Sequence, residues 1–449
     1  MRKMQQTNLR RTYKHIFKCF VFLVKRFRVL CAVVNECDDI IINSISDGRF
    51  GIRDERLVNL ASSYGVPQPT SIKVIDGPKV PGKIRFIENK IYDFNRISEL
   101  LTLSISTNQH ANGGPVSRLL EKMVASVAQI QPDTKVIVVS SGTAALHLAC
   151  SFHSVLEKKP EMRWVTSAFS FLSCKASKLS NSIVIDSDKK GRFDLNRLKE
   201  LPLESYDGVI FTNVFSQMTD WGDVASYCNQ NGKKIVIDNA VGLIDRVTAP
   251  IDGDAAIEII SAHHTKPWGV GECGIILCNS EQEFLMRKLT NFGDEAVLST
   301  QAASSNFKIS DLAAAAIIDR LERMPFWGPI YDQQQSRMAK IINEEFTNIK
   351  PLIGTTEPKS PRAYAPFLNE NPINTDTDTR SITIRKYYRP LKSEDEFKIR
   401  CSNSLELYSR ILCISNAPEH FFVSSDEIIN DIKELQDNSI QYDTGHNII

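Results

Sequence analysis

The sequence predicts an α/β protein: a mainly parallel, doubly wound sheet in a large domain, followed by a smaller α+β C-terminal domain. Three observations carry that expectation. Between residues 108 and 280, short continuous apolar runs alternate with helical stretches, the pattern of strands buried on both faces and separated by helices. The residues that bear chemistry (Gly142, Thr143, Phe171, Asp238 and Lys266) fall at the carboxyl ends of those runs, where such sheets place their ligands. Finally, 449 residues are too many for one minimal core. The expected division is an N-terminal extension over 1–95, a large domain over 96–330 and a small domain over 331–449.

Composition narrows the function classes. A net charge of +1 argues against wholesale nucleic-acid binding, and 42% hydrophobic with 24% charged residues is ordinary for a soluble globular chain. The ten cysteines are scattered, with no C-x-x-C pair and no zinc spacing, so buried thiols in a reducing, cytoplasmic setting are expected and a metal site is not. No window holds the uninterrupted apolar run of a membrane span.

Residues 1–35 carry nine Lys/Arg and no acid before Glu36. Ile16, Phe20, Leu23, Phe27, Leu30 and Val34 follow a helical period, with Arg11, Lys14, Lys18, Lys25 and Arg28 on another face. This basic amphipathic helix can lie on an anionic membrane surface or pack its apolar stripe on the body of the protein. Residues 36–95 are mixed, with turn signals at 65–67 and 77–82 and no recognisable chemistry.

A helix is expected over 116–130, with Leu119, Leu120, Met123, Val124 and Val127 on one side. The run KVIVV at 135–139 reads as a strand, SSGT at 140–143 as a turn, and a helix begins at Ala144. Strands follow at 163–166, 182–186, 208–213 and 234–238, with helices near 172–179 and over 221–231. The runs at 255–260 and 275–278 flank a Gly-rich turn that presents Lys266. Helices are expected at 281–290, at 311–324 with Ser310 as cap, and at 330–346. The C-terminal part brings ITIRKYYRPL at 382–391, a helical stretch at 403–408, a strand at 411–415 and a helix at 425–435.

Strand, Ser/Gly/Thr turn, helix is a phosphate-binding arrangement, because backbone N–H groups of the turn and the helix N-terminus face an anion and Gly142 permits close approach. A lysine held among glycines can be desolvated and lowered in pKa, as imine chemistry needs. If the anion belongs to a pyridine cofactor, Asp238 has a task at the ring nitrogen, Phe171 can cover the ring face, and Ser261 stands near the phosphate. Taken singly, each residue also has a plain structural reading: cap, core aromatic, turn or surface lysine. Their convergence at the strand ends favours the site.

The stretch from about 108 to 435 resembles the DegT/StrS family of pyridoxal-phosphate-dependent nucleotide-sugar aminotransferases, of the aspartate aminotransferase fold (fold type I). SGTAALHL at 141–148 is similar to that family's S-G-T-x-A-L, TSAFSF at 166–171 to T-P-x-x-T-F/W, VIDNA at 236–240 to V-I-E-D-A-A, and SAHHTK through GECG at 261–274 to S-F-H-x-T-K…G-E-G-G. The motifs NFK at 306–308 and RKYYRPL at 385–391 are similar to N-Y-R and R-x-Y-F-x-P-L. The resemblance implies Lys266 as the Schiff-base lysine, Asp238 as the pyridinium partner, Phe171 as the stacking aromatic, and Gly142, Thr143 and Ser261 at the phosphate. It further implies a homodimer in which Asn306 reaches the partner's phosphate, an amino-acid donor (by family habit glutamate), and a nucleotide-linked keto sugar as acceptor in polysaccharide or amino-sugar biosynthesis. Val241, Asn239, Cys273 and Lys308 depart from the family pattern. Two alternatives stand beside this reading: a sugar dehydratase of the same family, in which a histidine replaces the lysine, and a non-catalytic binding protein on the same scaffold.

Overall fold

The computed structural model describes residues 84–217, 221–244, 256–293, 304–353, 360–374, 379–392 and 401–442. The basic helix expected within 1–35, and most of the expected N-terminal extension, lie outside the described residues.

The chain enters through helices α1 (Phe94–Thr107) and α2 (Pro115–Val127). Strand β1 (Thr134–Val139), helix α3 (Gly142–Leu156), strands β2 (Trp164–Ser167) and β3 (Ile183–Ile185) and the short helix α4 (Leu195–Lys199) follow. Next come β4 (Gly208–Thr212), α5 (Gly222–Gln230), β5 (Lys234–Asp238), β6 (Ile257–Ser261), β7 (Gly274–Asn279) and α6 (Ser280–Thr290). These seven strands form one sheet in the order β1-β7-β6-β5-β4-β2-β3. β2 to β6 run parallel, and β7 is antiparallel to both of its neighbours, β1 and β6. The reversed strand is the return arm of the hairpin whose turn carries Lys266.

Continuous apolar runs make these strands because both faces are covered. Val136 and Val138 pack with α1, α2 and the helix α7 (Asp311–Glu322) on one face, while Ile137 and Val139 pack with α3 and α6 on the other. α7 begins where Ser310 accepts the N–H of Ala313, so the expected cap is present. The side chain of its first residue, Asp311, in turn accepts the N–H groups of Val116 and Ser117 at the start of α2.

Two expectations about elements are corrected. The helix foreseen near 172–179 is a pair of 3-10 turns, Leu172–Lys175 and Ser177–Leu179, interrupted where Ser177 takes a left-handed φ of 52°. The helix foreseen at 330–346 begins earlier, as α8 (Met324–Glu345), and carries Pro329 in its interior. Proline there removes one backbone donor, and the tertiary packing of the flanking Trp327 and Tyr331 outweighs that loss.

The C-terminal part is a second, antiparallel sheet of order β10-β11-β9-β8, formed by β8 (Ile349–Pro351), β9 (Tyr364–Asn369), β10 (Ile384–Arg385) and β11 (Ile411–Ser415). Helix α9 (Ser402–Arg410) precedes β11, and α10 (Ser425–Tyr442) follows it. Its core joins Met338 and Ile342 of α8 to Phe367, Leu412, Ile414, Ile428 and Ile432. Residues 84–93 are stitched to both parts: Ile84 exchanges backbone hydrogen bonds with Ser381 and Thr383, and Glu88 pairs with Arg320 of α7. Among the described residues, no helix is long and apolar enough to cross a membrane.

Candidate active site

The edge formed by the carboxyl ends of β1, β4, β5 and β6 gathers most of the residues singled out in the sequence. At the end of β1, Ser141 caps α3 by accepting the N–H of Ala144 at 3.1 Å. Among the described residues no hydrogen bond takes up the N–H groups of Gly142 and Thr143, which stand at the start of α3 with the helix dipole behind them. Ser261, the last residue of β6, lies directly over this turn. A Cβ added to Gly142 would stand 2.9 Å from both Cβ and Oγ of Ser261, so only glycine fits there. Gly142 and Ser261 thus form one cup, and Thr143 is exposed at its rim.

Asp238 ends β5 and is 2% exposed. Its carboxylate accepts the N–H of Ala240 at 3.1 Å and faces the Cys174 thiol at 3.6 Å. Cys174 also meets the Ser170 hydroxyl, which bonds Thr212 at 2.8 Å. Burial raises the Asp238 pKa, opposed by the Ala240 N–H, by Lys266 and by Cys174. The thiol itself is pushed up to about 12 by burial and the Asp238 charge, so it stays a neutral donor toward the carboxylate.

Lys266 sits on the turn between β6 and β7, largely buried. Burial pushes its amine down to about 8, with Asp238 opposing the shift. Among the described residues no hydrogen bond engages its Nζ. The turn is rigidly held: Trp268 donates to Ser261 O at 2.9 Å, Arg320 to Pro267 O at 2.8 Å, and Gly269 lies so close to the carbonyls of Ala262 and His263 that no Cβ could stand there. His263, beside it, is lowered to about 4, chiefly by burial with His264 and Lys266 adding repulsion, while its Nε2 lies 3.2 Å from the Glu272 carboxylate.

A cleft opens beside the lysine, lined by Phe215, Val241, Trp268, Arg362, Ala363 and Tyr364. Phe215 and Ser216 are consecutive non-glycine residues with left-handed φ of 56° and 54°. Such residues cost of order 1–3 kcal/mol each and are found where a site needs them; here they bring the Phe215 ring over Tyr388, 5.2 Å away and nearly parallel. Phe171 stands nearby, edge-on to Tyr388 at 6.5 Å, with 55% of its surface exposed.

Asn306 is exposed, on a loop laid along β1: Ser140 donates to Phe307 O at 2.7 Å, and Asn306 pairs with Asn291. Of the sequence-predicted residues, Gly142, Ser261, Asp238 and Lys266 share one locale, Thr143 and Phe171 rim it, and Asn306 faces outward.

The sequence names Asn239, Cys273 and Lys308 only as departures from the family pattern, without a role, and gives no sign of Lys90. Asn239 is buried and bonded to Asn213 at 2.9 Å, to Gly242 O at 3.0 Å and to Glu258 at 2.7 Å. Glu258 is wholly buried on β6, so the asparagine beside Asp238 answers an acid on the adjacent strand. Cys273 is a core residue whose thiol turns to Gly274 O. Lys308 pairs with Asn291 at 2.5 Å and lies over the Phe292 ring. Lys90, upstream of every motif, reaches the lysine turn. An acid opposite an inserted amide was the one signal available, and it needs the strand register to be read.

A model of the DegT/DnrJ/EryC1/StrS aminotransferase family matches residues 93–432. The chain is 25% identical over 353 residues to a dTDP-4-amino-4,6-dideoxy-D-glucose transaminase of Shigella dysenteriae, covering 73% of this chain and 92% of that protein. Among solved structures it is similar to Helicobacter pylori PseC, an aminotransferase involved in the biosynthesis of pseudoaminic acid, with a TM-score of 0.64, 16% identity, and 78% and 99% of the two chains covered. It is also similar to a DegT DnrJ EryC1 StrS aminotransferase from Brucella abortus, with a TM-score of 0.61, 18% identity, and 76% and 95% covered.

Proposed function

The chain belongs to the DegT/DnrJ/EryC1/StrS aminotransferase family, whose cofactor is pyridoxal phosphate, and from that premise we propose that it moves an amino group from glutamate to a keto sugar carried on a nucleotide. The observation that supports the reading best is the pair formed by Lys266 and Asp238 at adjoining strand ends, beside the cup of Gly142 and Ser261. The residues present fit the cofactor: a cup that a Cβ would fill, a buried carboxylate, and a lysine whose amine is deprotonated within reach of neutral pH. When bound, pyridoxal phosphate supplies an aldehyde that takes up amines and a ring that draws electrons from the adjoining carbon.

The chain's own residues divide the remaining work. N–H groups at the start of α3, with the Ser261 hydroxyl, bind the phosphate dianion. Asp238 holds a proton on the facing ring nitrogen, its charge kept in place by the Ala240 N–H and the Cys174 thiol. Lys266 would hold the cofactor through its Nζ, and as a free amine that atom would take the proton from the amino-bearing carbon of the donor and, in the second half of the exchange, deliver one to the carbonyl carbon of the acceptor. Phe171 covers the ring from the open side, and Asn306 completes the phosphate site of a second copy in a homodimer. The role of the product in amino-sugar or surface-polysaccharide synthesis, inside the cytoplasm, belongs to this proposal as well.

Purified protein mixed with pyridoxal phosphate should develop visible absorbance that Lys266→Ala removes. A panel of keto-sugar nucleotides with glutamate, followed by mass spectrometry, should then yield an amino sugar. Colourless wild-type protein, or a deoxygenated ketone in place of an amine, sinks the reading.

A further inference from the structure

The turn that presents Lys266 shows three carbonyls on one side, those of His264, Lys266 and Gly269, and a single side chain meets them all. Lys90 Nζ donates to Lys266 O at 2.6 Å, to Gly269 O at 2.7 Å and to His264 O. Three acceptors match the three N–H bonds of an ammonium and favour that form against burial and the Arg320 charge, which pull the Lys90 pKa down to about 7; a methylene stem or a neutral amide cannot satisfy them all. The contact spans 176 residues in sequence and comes from a stretch that precedes the family match at 93.

The arm bearing Lys90 is itself seated. Glu88, two residues earlier, accepts from Arg320 at 3.1 Å and from the Tyr331 hydroxyl at 2.8 Å, and Asn89 N–H donates to Glu419 at 2.7 Å. Arg320 passes its Nε to Pro267 O, the carbonyl next to Lys266. The turn is thus held by two cations, Lys90 and Arg320, and the acid bonded to Arg320, Glu88, stands two residues before Lys90.

We infer that Lys90 is a positioning residue for Lys266: its ammonium clamps the turn's carbonyls and so fixes the direction in which the Lys266 amine projects toward the cofactor. The inference rests on the reading of Lys266 given above. Without the clamp, the turn keeps the backbone hydrogen bonds of Lys266 N–H to His263 O at 2.8 Å, Gly269 N–H to Lys266 O at 3.0 Å and His264 N–H to Gly271 O at 2.8 Å. The turn therefore survives but loosens.

The test titrates apo-protein with pyridoxal phosphate and follows binding by absorbance, cofactor orientation by induced circular dichroism, and folding by the melting of the cofactor-free protein. Lys90→Met should keep the apo melting profile, bind the cofactor roughly tenfold more weakly, as expected when charge-assisted hydrogen bonds are lost, and lose induced dichroism. Lys90→Arg, which keeps a cationic donor, should restore most of both signals. If Lys90→Met does not fold, Lys90→Gln is titrated in its place, with the same losses expected. Wild-type affinity and dichroism in the uncharged variant overturn the inference alone. A wild-type protein that forms no borohydride-trappable adduct at Lys266 overturns the underlying reading of the site together with it.

Discussion

At the scale of single residues, the proposed chemistry turns on two groups whose burial pushes them toward neutrality from opposite sides. The Lys266 amine is brought down to about 8, against 10.5 for an ordinary lysine, and the Asp238 carboxyl is raised by the same desolvation. Only the unprotonated amine attacks an aldehyde, so the rate at which the protein takes up pyridoxal phosphate should climb as pH rises through about 8 and level off above it. Borohydride trapping against pH reads that midpoint directly; a midpoint near that of free lysine would contradict the burial argument. Asp238→Asn keeps the shape and loses the charge. It should bind cofactor and still cut turnover on the order of 10²–10³-fold, the scale of a lost preorganised electrostatic partner, measured as the single-turnover rate with glutamate.

The elements explain why those residues meet. Six successive strands, β1 to β6, run the same way with apolar residues on both faces, and each delivers its last residue to one edge. That much was legible, because the runs at 135–139, 208–213 and 234–238 need no more than hydrophobicity to be read as buried strands. The segment after Phe171 was not: its Leu, Ala and Lys content suggests a helix, yet Ser177 adopts a left-handed φ and splits it into two 3-10 turns that bring Cys174 against Asp238. The Asn239–Glu258 pair was equally hidden, since it depends on which residues β5 and β6 set side by side. The cup at the start of α3 yields its own prediction. Gly142→Val would drive a side chain into Ser261, and affinity for pyridoxal phosphate should fall roughly 10–100-fold with the lost charge-assisted hydrogen bonds. Binding of pyridoxal, which lacks the phosphate, should barely change. Equal losses for both compounds in parallel titrations would place the anion elsewhere.

For the whole molecule, the large sheet, the small sheet and the incoming segment meet around one lysine turn. The motifs locate the turn and say nothing of the arm that holds it, because residues 84–93 show neither periodicity nor a repeated spacing and their partners lie hundreds of positions downstream. The ion pair between Glu88 and Arg320 has a practical consequence for anyone trimming the chain. Arg320 is 4% exposed, so a version cut back to residue 93, where the family likeness starts, strands a buried guanidinium without its acid. An uncompensated buried charge costs about 3–5 kcal/mol. Such a version should melt well below one begun at residue 84, and Arg320→Met should recover part of the difference. The shortest stretch that resembles a whole enzyme is, on these grounds, shorter than the stretch that is stable as one.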